Sequence, residues 1–163
     1  MRTSGVLQDP REGIKHTLLF AVDANRGHVC HWVFPGNVDR NKFIVFLVAV
    51  LFPALAQQSG DGVQRFVMYD NLSAHTGPDV EQLFADAGHV PMLRPVHSPD
   101  FGPVECCFSH LEMFLKAISG YVKPEDLMPW VSCWASTVTP EVGAGFYAHC
   151  GYRIAGMEYK PYV

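Results

Sequence analysis

The chain has 163 residues, which is the length of a single domain by the usual range of about 100 to 200 residues per domain. Hydrophobic residues make up 48% and charged residues 17%, so the chain can bury a core and a disordered protein is excluded. The formal net charge is -4, whereas compact DNA-binding modules usually carry a basic excess. Composition alone therefore disfavours autonomous nucleic-acid binding.

The cysteines and the longest apolar run point to a reduced intracellular protein that does not associate with membranes. The five cysteines contain no Cys-x-x-Cys pair, which argues against a zinc ribbon. Residues 1–15 lack the apolar centre of a signal peptide. The longest apolar run, 43–56, has 14 residues and is interrupted by Pro53, whereas a bilayer-spanning helix needs about 20. We interpret this run as a buried element.

The first half of the chain predicts a hairpin, a helix and a strand. Two apolar runs, 15–22 and 28–34, flank a short loop that contains Asn and Gly, which is typical of a β-hairpin. Asp39 can cap a helix that begins near Arg40 and includes the run 43–56. A short buried strand is predicted over 65–69.

The second half predicts helices that alternate with one more strand. We expect a helix over 78–87 ended by Gly88, a strand over 89–93 and a helix that starts at Pro103. One or two further helices over 124–149 bury Trp130, Trp134 and Phe146. This alternation after an opening hairpin predicts an α/β fold with a mixed sheet.

Two carboxylates are the candidate functional groups. Asp70 directly follows the strand 65–69, and functional side chains of open α/β sheets gather at such strand ends. An Asx turn would also explain Asp70, and favourable interaction with the helix dipole would explain Glu105 in the first turn of its helix. Together the two could hold Mg²⁺, which prefers one or two carboxylates with water and phosphate and which supports phosphoryl transfer.

Two motifs resemble the catalytic core of mariner-type DDE transposases and related bacterial insertion-sequence enzymes. They are VMYDNLSAH at 67–75 and HSPDFGPVE at 97–105. The interval between the two acids is residues 71 to 104, that is 34 residues, which is typical of this family. The matching residues are Asp70, Asn71 and His75 in the first motif, and Ser98, Pro99, Asp100, Pro103 and Glu105 in the second.

The resemblance implies a ribonuclease-H-like fold, a mixed sheet flanked by helices with the run 43–56 as the first crossover helix. It implies Asp70 and Glu105 as catalytic carboxylates that bind Mg²⁺ or Mn²⁺, with Asn71, His75 and Asp100 in supporting positions. The implied chemistry is that of DNA transposition and integration. An intact family member hydrolyses a phosphodiester bond at a transposon end and joins the new 3′-hydroxyl to target DNA.

The chain departs from the family pattern at its N-terminal end and before Glu105. Gly102 stands where the family usually carries Asn. The family's first catalytic Asp lies on a strand upstream of the hairpin, but Asp23 suits a hairpin turn and Asp9 lies in a Pro, Glu and Gly stretch with no predicted strand. We therefore predict that the first strand and its carboxylate are missing. The predicted divisions are an irregular segment over 1–14, the catalytic core over 15–152 and a loose tail over 153–163.

Other polar side chains are weaker candidates. His75 could orient the Asp70 loop or cap the following helix. Cys106 and Cys107 neighbour Glu105, but Cys107 is expected to face the core and neither is assigned a ligand role. His28 and His31 are three positions apart on a predicted strand, which would put them on opposite faces and make them poor co-ligands.

Three classes of function remain open. The first is a DDE transposase catalytic domain that is incomplete or decayed and has no or very weak strand cleavage alone. Such a domain would act on transposon-end DNA as a homo-oligomer. It would work in the nucleus of a eukaryote or in the bacterial cytoplasm. The second is a non-catalytic domesticated interaction module on the same fold, whose open sheet edge would pair with a partner. The third is an unrelated hydrolase or phosphatase with Asp70 as nucleophile. No other polar group near Asp70 supports the third class.

Overall fold

A computed structural model describes residues 5–8, 15–59, 63–94, 102–121 and 127–153 of the chain. The described residues form five strands and six α-helices, with strands β1 to β3 in one sheet and β4 and β5 in another. A π-helical turn over Leu47–Leu51 joins the first two helices, and a 3₁₀ turn over Ser73–His75 follows β4. The elements are β1 (Gly5–Gln8), β2 (Lys15–Asp23), β3 (Gly27–Pro35), α1 (Arg40–Phe46), α2 (Phe52–Ser59), β4 (Phe66–Tyr69), α3 (Pro78–Asp86), β5 (Val90–Leu93), α4 (Pro103–Ala117), α5 (Leu127–Thr137) and α6 (Pro140–His149).

Strands β2 and β3 form the predicted antiparallel hairpin, which is confirmed. The turn is closed by Asp23, whose Oδ1 accepts a hydrogen bond from the backbone N–H of Asn25 at 2.8 Å. Gly27 follows with φ +72°, a left-handed conformation that favours glycine. The predicted turn role of Asp23 is therefore confirmed.

The N-terminal residues contain a strand that the sequence prediction omitted. Gly5–Gln8 pairs antiparallel with the start of β2, with Gly5 opposite Leu18 and Gln8 opposite Lys15. The prediction of an irregular segment and a missing first strand is corrected for these four residues. A four-residue run is too short to show an alternating pattern, and its strand conformation comes from pairing with the edge of β2.

A β-bulge in β3 places two histidines on the same face. Val22 of β2 pairs with His28, and the residue before Val22 pairs with Cys30, so Val29 is the extra residue. Because one inserted residue shifts the alternation of side chains, His28 and His31 point to the same side. Their ring nitrogens lie 3.0 Å apart. The prediction that the two side chains occupy opposite faces is wrong, since it assumed a regular strand.

The predicted crossover helix is confirmed as a continuous helical stretch through α1, the π-helical turn and α2. Asp39 caps it as predicted, and its side chain accepts a hydrogen bond from the backbone N–H of Lys42 at 2.9 Å. The segment Arg40–Gln57 is long and apolar enough to cross a membrane by length and composition. Its buried residues form a stripe within the hydrophobic core but make up only 28% of the segment, so the predicted buried element is buried along one face and not throughout. The buried residues are Phe43, Phe46, Leu47, Leu51 and Leu55.

The parallel pair β4 and β5 brings two chain segments to one edge. Phe66 lies opposite Val90 and Tyr69 opposite Leu93, so Asp70 and Arg94 each follow a strand at the same edge. The predicted helices on either side are confirmed, since α3 ends before Gly88 and α4 begins at Pro103.

The two sheets meet at a cavity of about 280 Å³. It is lined by the end of β2, by β4, by Leu55 of α2 and by Tyr147 and Tyr152. At one end of this junction, Asp23 Oδ2 lies 4.0 Å from the guanidinium of Arg65. Strand β2 therefore ends where β4 begins.

Helix α6 lies directly against the β2–β3 turn. A Cβ atom on Gly143 would come 2.7 Å from the Cα of Gly27 and 2.9 Å from the carbonyl oxygen of Asp23. The backbone N–H of His28 donates to the carbonyl of Val138, just before α6, at 2.8 Å. The absence of a side chain at Gly143 allows this approach.

Replacing Gly143 with alanine should destabilise the fold by about 1 to 3 kcal/mol, because the new methyl group would overlap backbone atoms. Gly145, in the same helix, has open space where its Cβ would lie. The control G145A should raise stability by about 0.5 to 1 kcal/mol through better helix propensity. Urea unfolding measures both, and equal effects of the two substitutions would contradict the packing described.

Stability should decrease as the pH falls from about 6.5 toward 4. Burial, and then the neighbouring His31, lower the pKa of His28 to about 4, and burial also lowers the pKa of His31. The unfolded chain, with a histidine pKa of about 6.5, binds a proton in this window that the folded chain does not. Urea midpoints between pH 7.5 and 5 should fall less for H28Q than for the wild type. The exposed-site control H149Q should behave as the wild type. If the urea midpoint changed equally with pH in all three proteins, this linkage would be refuted.

Candidate active site

Asp70 lies at the end of β4 and contacts a buried histidine. Its Oδ1 is 2.5 Å from His75 Nδ1, and the Asp70 side chain is 23% exposed while that of His75 is 0% exposed. The sequence placed both residues in one motif, and the structure brings their side chains together. The contact fits a role of His75 in orienting Asp70, whereas the N-cap of α3 is Gly77.

The position of His75 is determined by aromatic packing and by its own turn. Its ring lies 4.2 Å from the ring of Phe43, centroid to centroid, and packs edge-on to Tyr69. Its backbone N–H donates to the carbonyl of Leu72 at 2.8 Å. Helix α1 and strand β4 therefore hold the imidazole from two sides, and the imidazole holds the carboxylate.

Arg40 secures the loop that follows Asp70, which sequence reasoning missed. Its guanidinium donates to the carbonyls of Ser73 and Thr76, at 3.2 and 2.5 Å, and to Asp79 Oδ1 at 2.9 Å. These contacts span more than 30 positions along the sequence. No local pattern signals them, because Arg40 reads simply as the first residue of a helix.

Glu105 is connected to the same edge through Arg94. Glu105 lies in the first turn of α4, and its Oε1 is 3.6 Å from Arg94 Nη2. The Arg94 side chain is 8% exposed, and its backbone N–H donates to the carbonyl of Tyr69 at 2.9 Å. Since Tyr69 precedes Asp70, the two predicted carboxylates lie at one edge of the β4–β5 pair.

The importance of Arg94 was also missed. Two signals were available in the sequence. Arg94 directly follows the predicted strand 89–93, just as Asp70 follows its strand, and it is the one Lys or Arg between Asp70 and Glu112. A nearly buried guanidinium beside Glu105 offsets the charge of that carboxylate.

The remaining predicted site residues have different outcomes. Asn71 is exposed beside Asp70, whereas Asp100 lies outside the described residues. The predicted burial of Cys107 is confirmed, and its thiol donates to the carbonyl of Pro103 at 3.4 Å. Burial raises the pKa of both Cys106 and Cys107, which favours protonated thiols and agrees with assigning neither a ligand role.

The donor set at this edge suits a hard divalent cation. Within the ranges that the structure describes, no group of three His, Cys, Asp or Glu residues could hold a metal ion. Two carboxylates with water and phosphate are nevertheless the ligands that Mg²⁺ prefers. Asp23 does not contribute, because it meets Arg65 at the start of β4 and Asp70 lies at the other end of that strand.

Replacing Arg40 with alanine should loosen the loop that follows Asp70, because two hydrogen bonds to the loop and one to Asp79 of α3 are lost. Amide hydrogen exchange across Ser73–Thr76 should accelerate by about 10-fold or more, which corresponds to about 1.4 kcal/mol. The control N41A changes the exposed neighbour in the same helix and should leave the exchange unchanged. Unaltered exchange in R40A would contradict the bracing role of Arg40.

Comparison with known proteins identifies both a family and a fold. The family described as DDE superfamily endonuclease matches residues 2–123, a range that includes Asp70 and Glu105. No curated protein matches the chain. Three solved structures of the Mos1 transposase align with it. The catalytic domain with raltegravir and Mn gives a TM-score of 0.71 at 16% identity, over 91% of this chain and 76% of that one. The catalytic domain of the Mos1 mariner transposase gives a TM-score of 0.65 at 15% identity, over 91% of this chain and 72% of that chain. The Mos1 paired-end complex with the left transposon end gives a TM-score of 0.65 at 19% identity, over 88% of this chain and 43% of that chain.

The structural likeness confirms the predicted ribonuclease-H-like α/β fold with a mixed arrangement of strands flanked by helices. The chain spans 43% of the length of the Mos1 chain in the paired-end complex. The family match covers about three quarters of the sequence and includes both predicted carboxylates. On this evidence the chain belongs to the DDE superfamily of endonucleases.

Proposed function

We propose that this chain is the catalytic core of a DDE transposase, in which Asp70 and Glu105 bind Mg²⁺ or Mn²⁺ and direct the cleavage of a DNA phosphodiester bond. The observation that carries the proposal is the Arg94 bridge. It links Glu105 to the strand end that presents Asp70, so two carboxylates from distant sequence positions share one edge. The similar Mos1 catalytic domain has been solved with Mn and with Mg.

The residues of the chain position the groups at which the chemistry would occur. His75 contacts one oxygen of Asp70 and, being buried between aromatic rings, restricts the rotation of that carboxylate. Arg94 restricts Glu105 in the same way. A divalent ion held there would supply an activated water and offset the charge that develops on the phosphate. Preorganised ligands of this kind lower the cost of assembling the site.

The partners we propose follow from the family and from its relatives. Mos1 has been solved in paired-end complexes with transposon-end DNA. We propose that this chain binds transposon-end DNA together with a second copy of itself. Such a protein works inside the cell, in the nucleus of a eukaryote or in the bacterial cytoplasm.

Mutation of the two carboxylates should weaken Mn²⁺ binding and remove any metal-dependent cleavage. We expect D70N and E105Q each to reduce Mn²⁺ affinity at least 10-fold, as measured by electron paramagnetic resonance of free Mn²⁺, because each removes one carboxylate ligand. The control E112Q changes an exposed glutamate on the same helix, paired with Lys116, and should bind as the wild type. Nicking of supercoiled plasmid in Mn²⁺ tests the reaction.

The combined outcomes separate an active enzyme from a decayed copy. Nicking by the wild type that is lost in both D70N and E105Q establishes an active site built on these two carboxylates. Mn²⁺ binding that depends on Asp70 and Glu105 without nicking identifies a copy that has lost activity. Mn²⁺ affinity unaffected by any of these substitutions overturns the proposed site and favours the interaction module.

A further inference from the structure

The paired histidines of β3 form a second cluster of ligating side chains, separate from Asp70 and Glu105. His28 follows the β2–β3 turn, and that turn meets Arg65 at the start of β4, whereas Asp70 lies after the end of β4. The two groups therefore lie near opposite ends of β4.

The spacing of the ring nitrogens fits two adjacent positions around one metal ion. In the structure His31 Nδ1 and His28 Nε2 are in hydrogen-bond contact, 3.0 Å apart. With metal–nitrogen bonds of about 2.0 to 2.1 Å, this separation corresponds to a nitrogen–metal–nitrogen angle of roughly 90 to 97°. A tetrahedral ion such as Zn²⁺ would need the nitrogens roughly 3.3 to 3.4 Å apart at those bond lengths. The geometry therefore favours a tetragonal ion, for which Cu²⁺ and Ni²⁺ are the usual choices with imidazole ligands.

The second nitrogen of His31 already has the partner that a metal ligand requires. His31 Nε2 lies 3.1 Å from the hydroxyl of Ser132 on α5. With its proton on Nε2, donated to Ser132 Oγ, His31 presents an unprotonated Nδ1 toward His28. Metal-ligating histidines commonly use such an outer contact to fix the tautomer.

The rings are held in place before any ion binds. Phe20 stacks on His28 with ring centroids 5.2 Å apart, and Trp134 packs against Phe20 with ring centroids 4.8 Å apart. The backbone of His28 is tied to Val138.

We propose that His28 and His31, brought to one face by the bulge at Val29, form a binding site for a tetragonal divalent transition metal ion of the Cu²⁺ type. The sequence interpretation of these residues as poor co-ligands is thereby reversed. Within the described part of the chain no third His, Cys, Asp or Glu completes the set. Water or an external chelator therefore fills the other positions.

The test uses the copper complex of nitrilotriacetate, which leaves adjacent positions free for two imidazoles. Titration of the folded chain should show one site that quenches Trp134 fluorescence. Electron paramagnetic resonance should show coupling to two protein nitrogens. H31Q should weaken binding at least 10-fold, while the exposed control H149Q and the carboxylate variant D70N should bind as the wild type. Retained binding by D70N separates this site from the proposed active site.

A second measurement does not depend on the folding of any variant. Because the complex binds the native state, it should raise the unfolding temperature of the wild type in a concentration-dependent way. Coupling to a single nitrogen, affinity equal in H31Q and the wild type, or an unfolding temperature that copper does not raise would each overturn the proposal.

Discussion

The side chain of His75 is fully buried, with its ring against Phe43 and one nitrogen against Asp70. A buried imidazole must satisfy its polar atoms, and Asp70 is the group that the end of β4 provides. The hydrophobic packing of α1 against the strands thus determines where a carboxylate stands. Loss of this packing would disturb the site although Phe43 itself contributes no chemistry.

The edge that presents Asp70 is assembled from elements that share no local sequence relation. Strand β5 pairs with β4, Arg94 continues from β5, and its guanidinium meets Glu105 on α4. Arg40 secures the loop from the crossover helix. The arrangement combines the buried cation Arg94, the exposed cation Arg40 and two carboxylates. The arginines therefore partly offset the negative charges of Asp70 and Glu105.

The sequence predicted elements whose signals are local, and it failed where the cause was tertiary. The sequence predicted the turn at Asp23, the helix cap at Asp39 and the helix start at Pro103, because each depends on a few neighbouring residues. Strand β1 was not predicted, since four residues acquire strand conformation only by pairing with β2. The two carboxylates were found through motif and spacing, but the arginines that support them lie far away along the chain.

The bulge in β3 shows that the face a side chain occupies depends on strand pairing as well as on sequence spacing. With Val29 bulged out of the ladder, the imidazoles of His28 and His31 share a face, whereas regular pairing of all four residues 28–31 would point them apart. Deletion of Val29 would restore a regular ladder, and the histidines, now two positions apart, would still share a face. The two-histidine surface therefore tolerates loss of the bulged residue, but it would be lost if all four residues entered the ladder.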